Sequence, residues 1–234
     1  MIFYGRNIVL EALKSNHDVT KVIIQEGSEG NEKIDSIIKL AKSSNISISY
    51  QDRKEISRAT NSEEHQGVYC DVKFKEANLK ELINPEQEQS FVYISTATFE
   101  HNIGAISRSA EVAGLTGVII PKNADITPTV AKTSTGAIFH IPIVKLSIFN
   151  AIKLLKDNGF FVAGIERDGN KYYENDLTSN TLFIIGGEDK SLSDPVRDKC
   201  DMILEIPQHG KVNSLNMSVA SSIVFFERNR QLGI

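Results

Sequence analysis

The chain has 234 residues, 41% of them hydrophobic and 24% charged, with a net charge of −4; these values suit a globular protein of one large or two small domains. No apolar run approaches the roughly 20 residues of a membrane span, and a secretory signal is not expected from the first residues. The negative charge argues against non-specific coating of nucleic acid, so a nucleic-acid partner would have to be recognised by a local patch.

The two cysteines, Cys70 and Cys200, lie far apart and have no histidine nearby at metal-binding spacing. Such cysteines are typical of reduced thiols in an intracellular protein. The sequence therefore predicts a cytoplasmic protein with no metal site and no membrane association.

The first 73 residues alternate between helical and strand patterns. Apolar residues at helical spacing predict helices, and short apolar or alternating runs predict strands. The predicted elements are a helix at 5–16, a strand at 21–25, a helix at 31–44, a strand at 46–50, a helix at 52–60 and a strand at 67–74. This order indicates a small α/β domain.

A polar stretch from 74 to 89 predicts a linker with one short helix. From Ser90 the strand–helix alternation resumes, which predicts a mostly parallel sheet covered on both faces. The predicted elements are strands at 90–97, 117–121, 160–165, 181–187 and 202–207, and helices at 102–114, 147–159, 194–200 and about 213–230. The polar stretch after the second of these strands has no predicted element.

Two loops of this sheet carry chemically useful side chains. Ligands of open α/β sheets collect beyond the carboxyl ends of the strands, where one loop brings Asn102 and Arg108 and another brings Gly186 and Glu188. Each residue also has a simple structural explanation. Asn102 can cap a helix, and Arg108 can be a solvated cation on the surface. Gly186 can form a tight turn, and Glu188 can be an acidic residue in the first turn of a helix. Motifs for dinucleotides, P-loop phosphates, hydrolase nucleophiles and zinc are absent.

A third segment lies directly before the last predicted helix. Ser214, Asn216 and Ser218 alternate there with Leu215 and Met217. A helix start needs only one small polar cap. The surplus of polar groups indicates a second role for this segment.

Together the three segments resemble the SpoU (TrmH-type) branch of the SPOUT RNA methyltransferases, closest to its members that methylate guanosine 2′-hydroxyls in ribosomal RNA. The motifs are N-x-G-A-I-x-R-S-A-x-x-x-G, then G-x-E, then I-P…S-L-N-x-S-V-A…E…R-Q, and STGAIFHIPI between the first two resembles the family's S-x-G-A segment. The matching residues are Asn102, Gly104, Ala105, Arg108, Ser109, Ala110, Gly114, Gly186, Glu188, Leu192, Ser193, Ile206, Pro207, Ser214, Leu215, Asn216, Ser218, Val219, Ala220, Glu227, Arg230 and Gln231.

The resemblance implies an α/β SPOUT fold with a deep trefoil knot near the carboxyl terminus, whose loops hold S-adenosylmethionine. By the family's pattern, Gly186, Ile206 and Leu215 line the cofactor pocket, with Leu215 packing on the adenine. Ser214, Asn216 and Ser218 are expected to tie the loops of this pocket together and to face the reaction centre.

The reaction implied by the resemblance is methylation of a ribose 2′-hydroxyl in RNA. The family motif assigns activation of that hydroxyl to Arg108. Because a guanidinium resists deprotonation, we expect Arg108 to position the substrate phosphate and stabilise developing negative charge. Asn102, Glu188 and Asn216 are expected to orient Arg108 and the ribose, while the proton acceptor stays open.

The amino-terminal segments YGRNIVLEAL and HQGV resemble the accessory RNA-binding domain of the family's ribosomal-RNA members. The resemblance thus implies an RNA substrate-binding domain at 1–73, a linker at 74–89 and a catalytic domain at 90–234. The expected partner is ribosomal RNA rather than DNA, because DNA has no 2′-hydroxyl.

The resemblance also implies a homodimer formed through the catalytic domain. The last predicted helix carries a cluster of apolar residues, and Ile223, Val224, Phe225 and Phe226 are the ones expected at the interface.

Three positions depart from the family's pattern. Phe99-Glu100 stands where many members have Asp-Pro, Ser191 stands where a glycine is usual, and Gln208 replaces a methionine. None of these changes removes a proposed catalytic group. Three alternatives stay open: a transfer-RNA or resistance methyltransferase, a non-catalytic RNA-binding ribosome assembly factor, and a cofactor-binding module without an RNA partner.

Overall fold

The computed structural model describes four stretches of the chain: 1–95, 100–186, 191–211 and 214–234. Its elements in chain order are β1 (Ile2–Tyr4), α1 (Arg6–Lys14), β2 (Asp18–Gln25), α2 (Glu32–Ser43), β3 (Ser47–Gln51), α3 (Arg53–Thr60), β4 (Val68–Lys73), α4 (Leu79–Leu82), β5 (Ser90–Ile94), α5 (Glu100–Val112), β6 (Gly117–Ile120), α6 (Pro128–Thr133), β7 (Ile143–Lys145), α7 (Ile148–Lys156), β8 (Phe161–Lys171), β9 (Thr181–Ile185), α8 (Asp194–Arg197), β10 (Met202–Glu205) and α9 (Met217–Leu232). Short 3₁₀ turns follow α6 and β8. Within these stretches, no helix is both long and apolar enough to cross a membrane.

The contacts divide the chain into two units. The first unit comprises Met1–Lys75 and Ile126–His140, and the second comprises Glu76–Asp125 and Ile141–Ile234. The segment Ile126–His140 lies between β6 and β7 in sequence, yet it packs with the amino-terminal residues. The predicted domain limits at 73 and 90 remain predictions. They do not account for the segment Ile126–His140, which belongs to the first unit.

The first unit is built on a four-stranded sheet in the order β1-β4-β2-β3. Strand β4 runs antiparallel to β1 and β2, while β2 and β3 are parallel. The helical spacing of the apolar residues explains α1 and α2, since each buries one face against the unit: Ile8, Val9 and Ala12 in α1, and Ile34 and Ile37 in α2. Strand β1 was not predicted, because a three-residue strand gives almost no periodic signal.

The segment Ile126–His140 is held to the first unit by close packing. The rings of Phe139 and Phe3 meet edge to face at 5.2 Å between centroids. Gly136 has a φ of +92°, and a Cβ placed there would lie 2.7 Å from Cβ of Glu11. Only glycine fits this conformation and this distance, because any side chain would collide with α1. The glycine of the S-x-G-A segment is therefore required for packing.

The second unit is built on a six-stranded sheet in the order β10-β8-β9-β5-β6-β7, in which every neighbouring pair is parallel. Strands β5, β6 and β9 are buried along their whole length. Alternate residues of β9 serve the two faces: Leu182 and Ile184 join the core cluster that also contains Leu155 of α7, while Phe183 contacts Phe225 of α9. The expected α/β fold with a parallel sheet is confirmed.

Some boundaries differ from the sequence prediction. The helix predicted to begin near residue 213 begins at Met217, and the strand predicted to end at Ile165 continues to Lys171. Helix α6 lies in the stretch that had no predicted element. The trefoil knot remains a prediction, because its expected loops include residues outside the described ranges.

Candidate active site

The first and third motifs are joined by a hydrogen bond between two amide side chains. Nδ2 of Asn216 donates to Oδ1 of Asn102 at 3.3 Å. The Asn102 side chain is buried at the start of α5, whereas Asn216 is exposed at the start of α9. Two motif residues separated by 114 positions in the sequence are thus brought into contact.

Asn216 also forms the N-cap of α9. Its Oδ1 accepts hydrogen bonds from the backbone N–H of Ser218 at 2.8 Å and from the Ser218 hydroxyl at 2.6 Å. One amide therefore satisfies the helix start with its oxygen and contacts Asn102 with its nitrogen. Ser218 contributes to the cap, so part of the polar surplus in this segment has a structural explanation.

Helices α5 and α9 pack against each other, with polar contacts along their length. The Ser222 hydroxyl donates to Oγ of Ser109 at 2.7 Å, and Nδ2 of Asn229 donates to the carbonyl of Ala113 at 3.1 Å. These bonds fix the register of the two helices. The small residues Ser109 and Ala110 of the first motif belong to this packed helix.

Arg108 lies on α5 and is exposed. It follows Asn102 by six positions, which in an α-helix is a rotation of about 240° and a rise of about 9 Å. Arg108 and Asn102 therefore leave α5 in different directions. Within the part of the chain that is described, no hydrogen bond or ion pair to the Arg108 guanidinium is found, so the group is available to an anionic substrate.

The residues predicted to bind the cofactor lie at or after strand ends. Gly186 follows β9 directly and is buried, and Ile206 follows β10 and is half-buried. Leu215 is 40% exposed next to the exposed Ser214. Glu188, predicted to help orient the ribose, lies outside the described residues.

The final residues of the third motif support the fold. Gln231 accepts a hydrogen bond from Leu177 N–H at 2.8 Å through Oε1 and donates one to the carbonyl of Asn175 at 2.9 Å through Nε2. Arg230 donates two hydrogen bonds to the Glu227 carboxylate and thereby lowers the pKa of that group. This cluster fastens the end of α9 to the segment that leads into β9.

A cavity of about 480 Å³ opens at the carboxyl ends of β5 and β6. Tyr93, Lys122 and Ser147 line it, together with Leu192 and Ser193 of the second motif. Burial raises the pKa of Tyr93 to about 12, and its hydroxyl donates to the carbonyl of Leu146, so this phenol is not a proton acceptor at neutral pH. Among the described residues predicted to catalyse the reaction or bind the cofactor, none lines this cavity.

Sequence inspection missed an ion pair beside the second motif. Nη1 of Arg197 donates to Oε2 of Glu166 at 2.9 Å, and Oε1 of Glu166 accepts the backbone N–H of Leu192 at 3.0 Å. The one sequence signal for this ion pair was Glu166, an acidic residue directly after the apolar run at 160–165. Among the described residues, no cluster of histidine, cysteine or acidic side chains could hold a metal ion.

The first unit has a polar cleft of its own, of about 500 Å³, lined by Arg6, Asn7, Lys33 and Gln66 among others. The backbone N–H of Arg6 donates to Oε1 of Gln66, and its Nε donates to the carbonyl of Gln66. Nζ of Lys33 donates to Oδ1 of Asn7 at 2.7 Å. We call this depression the amino-terminal cleft.

The HQGV segment shapes one wall of the amino-terminal cleft. His65 is buried, which lowers its pKa, and its Nδ1 accepts the backbone N–H of Gly67 at 2.9 Å. Gln66 and Gly67 both have positive φ, so the chain turns sharply and points Gln66 at Arg6. The histidine thus has a structural role.

Comparison with known proteins identifies the class. The sequence model of the SpoU rRNA Methylase family matches residues 89–226, and the model of RNA 2′-O ribose methyltransferase substrate binding matches residues 2–77. A curated TrmH family tRNA/rRNA methyltransferase of Staphylococcus aureus (strain COL) is 36% identical over 235 residues, covering 97% of this chain and 94% of the relative.

Solved structures share the fold over nearly the whole chain. The SpoU methyltransferase AviRb from Streptomyces viridochromogenes, in complex with AdoMet, has a TM-score of 0.85 at 22% identity and covers 99% of this chain and 90% of that one. The AdoMet-bound rRNA methyltransferase from Sinorhizobium meliloti has a TM-score of 0.83 at 22% identity, with coverages of 99% and 87%. The fold is that of a SpoU methyltransferase. The chain belongs to the SpoU (TrmH) family of RNA methyltransferases, whose methyl donor is S-adenosylmethionine.

The double role of Asn216 can be separated by substitution. Asn216→Ala removes the N-cap and should lower the free energy of unfolding by about 1 kcal/mol. Asn216→Ser keeps a capping oxygen but loses the donor to Asn102, so it should retain most of the stability and still lose methyl-transfer activity. Denaturant titration and a methyl-transfer assay measure the two effects. Wild-type activity in Asn216→Ser would show that the bond to Asn102 is dispensable.

Proposed function

We propose that this enzyme acts in the cytoplasm and transfers the methyl group of S-adenosylmethionine to a ribose 2′-hydroxyl, namely that of a guanosine in large-subunit ribosomal RNA. The match of the amino-terminal residues to a 2′-O ribose methyltransferase substrate-binding model supports the ribose as the target. A ribosomal substrate is supported by the name of the matching family and by that of the Sinorhizobium meliloti neighbour. The names of the curated relatives include transfer RNA as well, and the experiment below covers both substrates.

The observation that carries this proposal is the bond between Asn102 and Asn216. It joins the helix bearing Arg108 to the segment bearing Leu215. A catalytic side chain and an apolar cofactor contact are thus carried by elements that are bonded to each other. A methyl-transfer reaction requires the RNA and the cofactor to be held next to each other, and such an arrangement can do so.

The residues predicted to bind the cofactor suit S-adenosylmethionine. Leu215 presents an exposed apolar side chain, which can pack against a flat adenine ring, and Ile206 offers a second apolar contact. Gly186 at the end of β9 lets a ligand approach the backbone closely. Ser214 is free to donate to the ribose of the cofactor. When bound, the cofactor supplies an electrophilic methyl group on a positively charged sulfur.

The protein's own groups must hold the ribose oxygen within about 3 Å of that methyl group and stabilise the charge that develops on the oxygen. Arg108 suits this task because it stays charged and presents a planar set of donors to phosphate and ribose. Asn102 and Asn216 position the elements around it, and Glu188 is proposed to orient the ribose. We assign proton acceptance to none of the described side chains.

Arg108→Ala should lower the rate of methyl transfer by at least two orders of magnitude, corresponding to about 3 kcal/mol of lost transition-state stabilisation. Arg108→Lys should not restore it, because an ammonium cannot reproduce the planar donor set. The affinity for S-adenosylmethionine should stay unchanged. Single-turnover assays on ribosomal RNA measure the rate, and Lys199→Ala, which removes another exposed cation of the same unit, is the control.

The same variant tests the substrate in cells. Mapping of 2′-O-methylated positions in ribosomal and transfer RNA should show a guanosine of the large-subunit RNA that is methylated with the wild-type protein and unmethylated with Arg108→Ala. A change confined to transfer RNA would refute the ribosomal substrate and keep the chemistry. Normal single-turnover rates in Arg108→Ala would refute the catalytic role.

We also propose a homodimer formed through α9. Val219, Ile223 and Phe226 recur at helical spacing on this helix, and Val219 and Phe226 are 47% and 46% exposed. Val224 and Phe225, which the sequence also suggested for the interface, are fully buried within the protomer and contribute to its core instead. An exposed apolar stripe beside the proposed site is a suitable dimer surface.

Phe226→Glu should convert the protein to a monomer, because a carboxylate would be buried without a partner at the interface. Light scattering at micromolar concentration measures the mass. Phe149→Glu on α7 is the matched control, since Phe149 is 49% exposed and should tolerate the change without altering the mass. A wild-type protein that is already monomeric and active would refute the dimer.

RNA affinity is proposed to come from the amino-terminal cleft. Arg6 and Lys33 bring two cations, against the one carboxylate of Glu32, to a single depression of a chain that is acidic overall. Nε of Arg6 is used by Gln66, but neither of its Nη groups takes part in a hydrogen bond with the described residues. These donors suit the phosphates of RNA.

Arg6→Ala should weaken RNA binding and reduce the slope of log affinity against log salt by about one, the loss of one phosphate contact. Binding of S-adenosylmethionine should be unaffected. Arg58→Ala removes an exposed arginine of the same unit outside the cleft and should change the salt slope less. Equal effects of the two substitutions would show that the cleft contributes only through net charge.

A further inference from the structure

The cavity at the carboxyl ends of β5 and β6 has no part in the function proposed above. Its volume of about 480 Å³ is within the usual range for sites that bind small ligands. Residues that follow β6 line one side of it, and the first residues of α7 and α8 line the other. We call it the edge cavity.

The floor of the edge cavity is apolar and well supported. Tyr93, Leu192 and Val196 line it and belong to the buried core cluster of the second unit, and Ile148 at the start of α7 adds a further apolar wall. The ring of Tyr93 is held in place because its hydroxyl donates to the carbonyl of Leu146 at 3.1 Å. A floor of this kind accepts the flat, apolar face of a ring.

The rim of the edge cavity carries polar groups that are available to a ligand. Lys122 and Asn123 are exposed there, and neither side chain forms a hydrogen bond or ion pair with the described residues. Ser147 and Ser193 stand at the N-cap positions of α7 and α8, but their side chains make no capping hydrogen bond. Among the described residues that line the cavity, none is acidic.

An apolar floor with a polar rim suits a nucleobase. A base has two flat faces and an edge of hydrogen-bond donors and acceptors, and proteins read RNA sequence mainly from unpaired bases. A phosphate group alone would leave the apolar floor unused. The one cation on the rim, Lys122, favours guanine, because O6 and N7 of guanine are adjacent acceptors that lysine commonly contacts.

The order of the strands separates the edge cavity from the predicted cofactor contacts. Ile206 follows β10 and Lys122 follows β6, four strand spacings away, which is about 19 Å at about 4.8 Å for each spacing. Between them, the backbone N–H of Ser95, which lines the cavity, donates to the carbonyl of Ile185 at 3.1 Å. Gly186 is the next residue, so the cavity begins beside the proposed cofactor position and extends away from β10.

We propose that the edge cavity binds the base of the guanosine whose ribose is methylated, and that Lys122 donates to O6 and N7 of this guanine. Asn123, Ser147 and Ser193 bind the remaining donors and acceptors of the base edge. This inference rests on the proposed transfer to a guanosine 2′-hydroxyl and on the proposed cofactor position at Gly186. The cavity selects the nucleotide, while the reaction takes place at its ribose.

The first experiment compares two lysines of the same unit. Lys122→Ala should lower kcat/KM for ribosomal RNA by about tenfold or more, as expected for the loss of one specific base contact. Lys122→Arg should retain more activity, because a guanidinium also donates to O6 and N7. Lys153→Ala removes an exposed cation of α7 that does not line the cavity, and it should stay close to the wild type. Calorimetry should give the same dissociation constant for S-adenosylmethionine in all three variants.

A steric variant tests the cavity itself. Ser147→Trp places a large ring at the start of α7, where the serine side chain makes no capping bond, and should lower kcat/KM for RNA far more than Ser147→Ala. Denaturant titration of both variants checks that the protein stays folded. A protein with Ser147→Trp that is folded and fully active would show that no base enters the cavity.

The second experiment tests which atom Lys122 reads. The substrates are two RNA fragments that contain the methylated guanosine, one of them with 7-deazaguanosine at that position, in which a C–H replaces N7. The wild type should methylate the modified fragment roughly tenfold more slowly, the effect of losing one hydrogen bond to a charged group. Lys122→Ala should methylate the two fragments at nearly equal rates.

Three results would overturn the role of the edge cavity. Equal losses in Lys122→Ala and Lys153→Ala would show an effect of net charge alone. A weaker affinity for S-adenosylmethionine in Lys122→Ala, matching the loss of activity, would assign the cavity to the cofactor. A preference for N7 that survives in Lys122→Ala would show that another group reads the base. Each of these leaves methyl transfer to guanosine intact, whereas a methylated nucleotide other than guanosine would refute the proposed substrate and this inference together.

Discussion

The parallel alignment of the six strands in the second unit is the constraint on which the site depends. Because every neighbouring pair is parallel, all the strands end at the same edge of the sheet. Strands β5 and β9 are adjacent in the middle of this order, and the residues that follow them, Ser95 and Gly186, therefore lie at neighbouring positions. The third motif is bonded to the first through Asn216, whose side chain donates to Asn102 from the start of α9.

Polar residues of the third motif hold the fold together, and Asn216 among them also takes part in the proposed chemistry. Asn216 caps a helix and contacts another motif, and Gln231 closes a loop that leads into β9. Such residues couple the integrity of the site to that of the scaffold. A substitution that only lowers activity is therefore not proof of a chemical role, and stability has to be measured beside turnover for each of them.

Part of the structure could be predicted from the sequence for definite physical reasons. Helices α1 and α2 were predicted because their apolar residues repeat at helical spacing, and β5 and β9 because they are short apolar runs. Helix α6 was missed although Thr127 followed by Pro128 is a helix-start signal, because no apolar periodicity followed it. The residues of the three motifs were found through a family resemblance, and the family is confirmed. The contacts between them were not predictable, since Asn102 and Asn216 are separated by 114 positions.

The exchange of Ile126–His140 into the first unit has a consequence for how the chain acquires its structure. Residues on both sides of this segment belong to the second unit, so the chain passes between the units three times. During synthesis, the first unit cannot bury Phe3 against Phe139 until the ribosome has released residues well beyond Lys75. Part of the apolar surface of the amino-terminal residues therefore stays exposed to water while β5 and β6 are synthesised. Removing residues 1–75 would in turn expose the apolar side chains of this segment that pack against them, so a single cut cannot separate the two units.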